Sequence, residues 1–175
     1  MLRDVLGYPT AEVAAMLDST EASVKGALRR ARATLDERRP GTDRRGPAAE
    51  RELARRFAAA FEADDIDGVV AVLTDDAWLT MPPAPHEYQG AVAIAAFLGT
   101  SAAWHGARRF RLVPTRANTQ PAFGCYLGVP GEPAAEAAGL IVLTPAGDRI
   151  SAITRFLDSD VFGYFGIPRK LGSGR

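Results

Sequence analysis

The chain has 175 residues, and its 21 Lys and Arg residues balance 21 Asp and Glu residues, so the formal net charge is zero. Hydrophobic residues make up 47% and charged residues 24% of the chain, which excludes a wholly disordered protein. The single cysteine excludes an internal disulfide and fits a reducing compartment. No apolar run is long enough to span a bilayer, and the first residues lack the pattern of a secretory signal. We therefore expect a cytoplasmic protein of one or two domains.

Basic residues are concentrated near the N-terminus despite the neutral total. Between residues 24 and 45 the chain has eight Lys or Arg and three Asp or Glu residues, which leaves a local charge of +5. Such a concentration favours an anionic partner such as nucleic acid. A solvated surface would have the same composition and remains the alternative.

Two helical patterns within residues 1–38 are separated by a short polar turn. Thr10 is a suitable N-cap for the first helix and Thr20 for the second. In the second helix, Val24 and Leu28 belong to a narrow apolar stripe, and the Lys and Arg residues lie away from it. This arrangement is typical of a helix-turn-helix, whose second helix enters the major groove of DNA. An ordinary helical hairpin would show the same periodicity.

The residues of this hairpin resemble region 4 of sigma-70-type RNA polymerase sigma factors, above all the extracytoplasmic-function group. Val5–Tyr8, Ala11–Leu17 and Ser23–Arg32 carry the resemblance, and its most specific part is the Val-Lys-x-x-Leu-x-Arg-Ala-Arg run. The family implies that the second helix binds the −35 promoter element, and that the polymerase core is the partner of an intact factor. The DNA-binding residues implied by the resemblance are Glu21, Ser23, Lys25, Arg29, Arg30 and Arg32.

The resemblance has two departures. Gly26 and Ala27 stand where the family usually has a small polar residue and often an arginine, so we expect fewer base contacts. The family also has a further helix and the −10-binding region 2 ahead of this element. We therefore expect the chain to be a fragment, the C-terminal part of such a transcription initiation factor.

Residues 39–47 contain two prolines and two glycines and no apolar side chain, which predicts a linker. Helical patterns follow and then strand patterns, an order that predicts an α+β fold. Residues 128–139 are rich in Gly, Pro and Ala and are expected to form a mobile loop. Helices are predicted at 48–62, 66–73 and 91–98, strands at 78–83, 110–113, 122–127, 140–144 and 149–157, and a hairpin turn at 145–148.

Residues 48–175 resemble the polyketide-cyclase-like (SnoaL-like) branch of the nuclear-transport-factor-2-like superfamily over nearly their whole length. The resemblance is carried by Ala54–Asp65, Leu73–Ala77, Met81–Pro83, Tyr88-x-Gly90 and Asp148–Phe156. It implies a cone, in which helices wrap a curved antiparallel sheet around an apolar pocket. A subgroup of extracytoplasmic-function sigma factors carries such a domain after region 4. The order of helix-turn-helix, linker and cone matches that subgroup, in which we expect the cone to regulate sigma activity.

The cone could hold a small apolar ligand or contact a second copy of the chain. Core packing is the favoured explanation of the aromatic and methionine positions. The sequence has no metal-ligand cluster, phosphate-binding glycine loop or Ser/His/Asp motif, so we expect no cofactor and no metal. The candidate pocket residues are Trp78, Met81, His86, Tyr88, Phe110, Gln120, Phe123 and Phe156.

The alternative function is that of a small enzyme on the same fold, an isomerase, cyclase or hydrolase, or of a ligand-binding protein. Enzymes of this superfamily use an Asp or a His–Asp pair in the pocket as general base. His86 and Asp158 are the residues to test in that role. Asp158 and Asp160 are better explained as caps of a following helix, and Cys125 as a buried strand residue. We therefore assign no catalytic residue.

Overall fold

The structure is a computed structural model that describes residues 9–37 and 46–172. Val5–Tyr8 and residues 39–45 of the expected linker lie outside the described residues, as do the side chains of residues 31–37. The chain divides into two compact units, Met1–Thr42 and Asp43–Arg175. Among the described residues, no helix combines the length and the apolar character needed to cross a bilayer.

The described part of the first unit is a helical hairpin of α1 (Thr10–Met16) and α2 (Glu21–Glu37). Val13 and Val24 are buried between the helices, and Leu28 packs against them. Thr20 caps α2 as predicted, since its Oγ1 accepts a hydrogen bond from the Ser23 N–H at 3.2 Å. The predicted cap of α1 was wrong, because Pro9 is the N-cap and its carbonyl accepts the first helical bond from the Val13 N–H.

The second unit combines helices with one mixed sheet. Its helices are α3 (Pro47–Glu62), α4 (Ile66–Ala71) and α5 (Ala91–His105), and a 3-10 helix covers Ser159–Phe165. The described strands are β1 (Leu73–Thr80), β2 (Glu87–Gln89), β3 (Arg109–Ala117), β4 (Gln120–Gly128), β5 (Ala135–Ala146), β6 (Arg149–Phe156) and β7 (Lys170–Leu171). They form one sheet in the order β2-β1-β6-β5-β4-β3, with β7 paired to β5. All pairs are antiparallel except β1 with β6.

The two faces of this sheet pack against different helices. Ile141 and Leu143 of β5 point to the inner face, where they join Phe57 of α3 in the main core. Leu140 and Val142, which alternate with them, point to the outer face and pack near Val161 and other residues of the 3-10 helix region. Burial of both faces explains why β5 reads as a continuous apolar run.

The α+β prediction is confirmed, and the sheet differs from it in detail. One strand pair is parallel, and β2 and β7 were not predicted. Residues 128–139 were expected to be a loop, but β5 already begins at Ala135. The guanidinium of Arg111 donates hydrogen bonds to the carbonyls of Val129, Glu132 and Pro133, and these long-range bonds hold the turn before β5.

Gly139 is the position in β5 where a side chain fits least. Its φ is +109°, and an added Cβ would collide with the carbonyl oxygen of Phe156 on β6. Gly139→Ala should therefore lower the free energy of unfolding by about 3 kcal/mol or more, through backbone strain and overpacking together. The measurement is urea unfolding of the full chain.

Gly147→Ala is the matched control for this substitution. Gly147 has a φ of +60° and has no atom near the position of an added Cβ. The alanine there should cost only about 1 kcal/mol, from the left-handed backbone alone. Equal losses in the two variants would contradict the close approach of β6 to Gly139.

Candidate functional sites

The α2 helix of the first unit presents the expected DNA-binding residues to solvent. Lys25, Arg29 and Arg30 are exposed, as are Glu21 and Ser23. The buried Val24 fixes the opposite side of the helix against α1. The side chain of Arg32 lies outside the described residues.

One of the cations on α2 has an acidic partner on the same helix. The Lys25 Nζ lies 3.2 Å from the Glu21 Oε2, and both side chains are more than half exposed. An exposed pair of this kind contributes only about 0.5 kcal/mol, so a phosphate can replace the carboxylate. The face therefore has the charge and the accessibility that contacts with a phosphate backbone require.

The candidate pocket residues of the second unit do not converge on one cavity. Met81, Phe110 and Phe123 are buried in the main core on the inner face of the sheet. Tyr88 is half-buried and stacks on Phe97, with 4.6 Å between the ring centroids. Phe110 borders a cavity of about 20 Å³ and Phe123 an opening of about 740 Å³ beside α3, so these residues of the inner side do not share one cavity.

The other four lie elsewhere. Trp78 is 39% exposed and His86 is also exposed. Gln120 and Phe156 line a separate groove of about 270 Å³ on the outer face, beside the 3-10 helix. The Gln120 Nε2 donates a hydrogen bond to the Thr144 Oγ1 at 2.8 Å.

A buried histidine joins an aspartate at the end of α5. The His105 Nε2 lies 3.1 Å from the Asp64 Oδ1, and the Arg109 Nε lies 3.3 Å from the other oxygen of that carboxylate. His105 is 3% exposed, and its Nδ1 has no hydrogen-bond partner. Both side chains line a cavity of about 20 Å³, which has room for roughly one water molecule.

Three further polar groups lie inside the cone. The Glu62 Oε1 accepts a hydrogen bond from the Leu112 N–H at 2.6 Å. Arg155 is 8% exposed, and its guanidinium carbon lies 5.0 Å from the centre of the Phe110 ring. Burial raises the pKa of the Cys125 thiol to about 12, while the positive charge of Arg155 lowers that pKa and the negative charge of Glu62 raises it.

Arg155, Glu62 and the Asp64–His105 pair are not among the site residues predicted from the sequence. A signal for Arg155 was present, because it lies two residues after the core residue Ile153 on the same strand face. No comparable signal existed for Asp64 and His105, which come together from positions 41 residues apart. Among the described residues, no group of His, Cys, Asp and Glu side chains could hold a metal ion.

The inner face of the sheet opens near the turn between β4 and β5. Leu127 and Ala138 pack against the main core and also line an opening of about 530 Å³. Trp104, at the end of α5, borders this opening and is 71% exposed. Its ring lies 5.3 Å from the guanidinium carbon of Arg108. The opening therefore has an aromatic rim with one cation stacked on it.

Comparison with protein families accounts for both units. Residues 54–156 match the SnoaL-like domain family, and residues 1–35 match sigma-70 region 4. The first match spans more than half of the chain, so the chain belongs to the SnoaL-like domain family. Ahead of that domain it carries the region 4 element, and the predicted resemblance to this subgroup of extracytoplasmic-function sigma factors is confirmed.

A curated relative covers both units together. The ECF RNA polymerase sigma factor SigG of Mycobacterium tuberculosis is 37% identical over 180 residues, which cover 98% of this chain and 47% of SigG. The chain thus spans about half the length of the curated relatives it matches.

Solved structures support the fold. The extracytoplasmic function sigma factor SigJ of M. tuberculosis has a TM-score of 0.52 and 24% identity, covering 92% of this chain and 57% of SigJ. An uncharacterized cystatin-fold protein of Novosphingobium aromaticivorans has a TM-score of 0.50 and 21% identity, covering 61% of this chain and 96% of its own.

The raised pKa of Cys125 predicts an inert thiol. The thiolate is the reactive form, and a pKa of about 12 leaves roughly one thiol in ten thousand ionised at pH 8. We expect no measurable labelling by a disulfide reagent at pH 8 in the folded protein and complete labelling in urea. Labelling of the folded chain at the rate of the unfolded chain would contradict the burial of this thiol.

Proposed function

We propose that the chain acts in transcription initiation in the cytoplasm, with α2 binding the −35 promoter element and the SnoaL-like domain regulating sigma activity. The observation that carries the proposal is the 37% identity to SigG across both units. The exposed basic face of α2 supports the DNA-binding part. The proposed domain boundaries are 1–38 for the region 4 element, 39–47 for the linker and 48–175 for the SnoaL-like domain. The polymerase core is the further proposed partner.

The proposed DNA contacts follow from the exposed side chains of α2. Lys25, Arg29, Arg30 and Arg32 would contact phosphates, while Glu21 and Ser23 lie in the first turn and would face bases. Binding should be weak because only a few cations take part, and it should depend strongly on salt because those cations contact phosphates.

Replacing Arg29 and Arg30 together with Ala tests these contacts. We expect lower affinity for a −35 duplex and a fall of about 2 in the slope of log affinity against log salt concentration, because each lost phosphate contact removes about one counterion. Fluorescence anisotropy at several salt concentrations measures both quantities.

Arg51→Ala with Arg56→Ala is the matched control. Both arginines are exposed on α3 of the second unit, so their loss changes the net charge equally without touching α2. If the two double variants bind DNA alike, or if neither differs from the unchanged chain, the basic face of α2 is only a solvated surface.

The regulatory role is tested in a complete relative. In SigG, deleting the segment that aligns with residues 48–175 should change transcription from a SigG-dependent promoter by roughly fivefold or more, the size of a typical coupling free energy between sites. Reporter activity measures the change, and immunoblotting controls for the amount of the shortened protein. Unchanged transcription at equal protein levels would contradict the regulatory role.

A small enzyme is the second candidate function, and one observation favours it. The Asp64 carboxylate beside His105 resembles the arrangement that prepares an imidazole as a general base, because a neutral imidazole whose Nε2–H donates a hydrogen bond to Asp64 carries no proton on Nδ1. The adjoining cavity of about 20 Å³ is too small for an organic substrate, which weighs against this function.

A panel of activated esters and epoxides tests the enzyme alternative. Turnover by the full chain that is abolished by His105→Ala, and not by Arg149→Ala on the surface, would favour it. His86→Ala and Asp158→Asn belong in the same assay. Both residues have a place in the structure that requires no catalytic role. His86 is an exposed surface residue, and Asp158 caps the 3-10 helix, because its Oδ1 accepts a hydrogen bond from the Asp160 N–H at 2.8 Å.

A further inference from the structure

The opening of about 740 Å³ beside α3 is lined by residues of α3 and of the strands β3 and β4. This volume lies within the range of small-molecule sites. Its apolar residues, here called the apolar wall, are Ala54, Ala58, Leu112, Pro114, Pro121, Ala122 and Phe123. Its three arginines, here called the basic rim, are Arg51, Arg55 and Arg116, and all three are exposed. Glu50 and Thr115 complete the lining.

The way in which α3 is fastened to the sheet creates this opening. The Glu62 Oε1 accepts a backbone N–H of β3 at 2.6 Å, and the Arg116 Nη1 donates to the Glu50 Oε1 at 2.8 Å. Between these two contacts α3 runs for about 18 Å. Ala54 and Ala58 lie one turn apart on the same side of this stretch. Because their side chains are small, they leave volume between the helix and the strands.

The charge of the lining distinguishes this opening from two others. The opening of about 530 Å³ is lined by one arginine and two glutamates, and the groove of about 270 Å³ by no charged side chain among the described residues. Three arginines and one glutamate line the opening beside α3, which gives +2 in a chain of zero net charge. An anion therefore complements this lining, and a cation is disfavoured there.

Arg55 is a residue of the basic rim whose present partner an anion can replace. Its Nε and Nη2 donate to the Glu52 carboxylate at 2.8 and 2.7 Å, within the same helix, and both side chains are more than half exposed. An exposed pair of this kind contributes little to stability, so exchanging its carboxylate for that of a ligand costs little. Arg116 differs, because it donates both to Glu50 on α3 and to the carbonyl of Thr119.

We propose that the opening beside α3 binds an amphipathic organic anion, whose charged group lies at Arg55 and whose hydrocarbon part lies against Ala58 and Phe123. Removal of the hydrocarbon part from water supplies most of the attraction. The basic rim selects the sign of the charge. The proposal goes beyond the regulatory role, because such a ligand would bind whether or not the domain controls transcription.

Titration of the isotope-labelled full chain with octanoate, octanamide and octylamine, followed by NMR, tests the sign of the charge on one hydrocarbon tail. We expect octanoate to bind with a Kd of millimolar order, octanamide about threefold more weakly and octylamine about tenfold more weakly. The amide signals of Ala54, Ala58 and Phe123 should shift, and that of Ala138 in the other opening should not. Absence of octanoate binding, equal affinity for the three compounds, or shifts centred on Ala138 overturns the proposal.

A matched pair of substitutions on α3 locates the hydrocarbon part. Ala58→Phe places a ring in the opening and should weaken octanoate binding about tenfold or more, because the ring and the tail cannot share the space. Ala59→Phe adds the same ring at the next residue, which is exposed and outside the lining, and should bind octanoate like the unchanged chain. Circular dichroism checks that both variants are folded. Equal affinity in the two folded variants overturns the proposal.

Three charge substitutions on the exposed surface of α3 locate the anionic group, and they keep the proposal testable even if Ala58→Phe does not fold. Arg55→Gln should weaken octanoate binding about threefold, and Glu52→Gln should strengthen it by about the same factor because it removes the competing carboxylate. Arg56→Gln is the control, since Arg56 is exposed but outside the lining. Equal losses in Arg55→Gln and Arg56→Gln, or weaker binding by Glu52→Gln, overturn the proposal.

A second copy of the chain is the other occupant that could cover the apolar wall. Light scattering of the unchanged chain and of Ala58→Phe separates this occupant from a small anion. We expect the same molecular mass for both proteins. A dimer that Ala58→Phe converts to a monomer would assign the opening to an interface between copies and overturn the proposal.

Discussion

The burial of β5 on both faces is the constraint on which the second unit depends. Ile141 and Leu143 belong to the core shared with α3, α4 and α5, while Leu140 and Val142 belong to the packing under the 3-10 helix, and none of the four is more than 8% exposed. A shift of one residue in the pairing would exchange the two sets and place each against the wrong partner. With roughly 1.5–3 kcal/mol at stake for each such side chain, the register of β5 determines where β4, β6 and all the packed helices must lie.

The parts of the fold that could be predicted from the sequence are those whose signal is local. Leu53, Phe57 and Phe61 recur at helical spacing, and the structure places them on the buried side of α3. Helix α5 was predicted to end at Leu98 and continues to His105, because its residues are small or apolar all round and give no clear period. The start of β5 was missed for a different reason, since bonds from the distant Arg111 hold that segment.

The candidate sites also differ in whether a local sequence signal could predict them. The basic face of α2 follows from helical periodicity within one short segment, and the exposure of Lys25, Arg29 and Arg30 agrees with that pattern. The interior polar groups depend on which strands become neighbours. Arg155 follows Ile153 in the alternation of β6, but its contact with the Phe110 ring depends on where β3 places that ring.

The short strand β7 has a consequence for the edge of the sheet. Strand β6 accompanies β5 only from Leu140 onward, and β7 takes over beside Ala135 and Glu136. Without the final segment, the first residues of β5 would present free backbone N–H and C=O groups to any passing extended chain. The tail also adds a charged residue there, Lys170, which discourages further strand addition. By pairing with Ala135 and Glu136, β7 thus covers the part of the β5 edge at which strand exchange could otherwise begin.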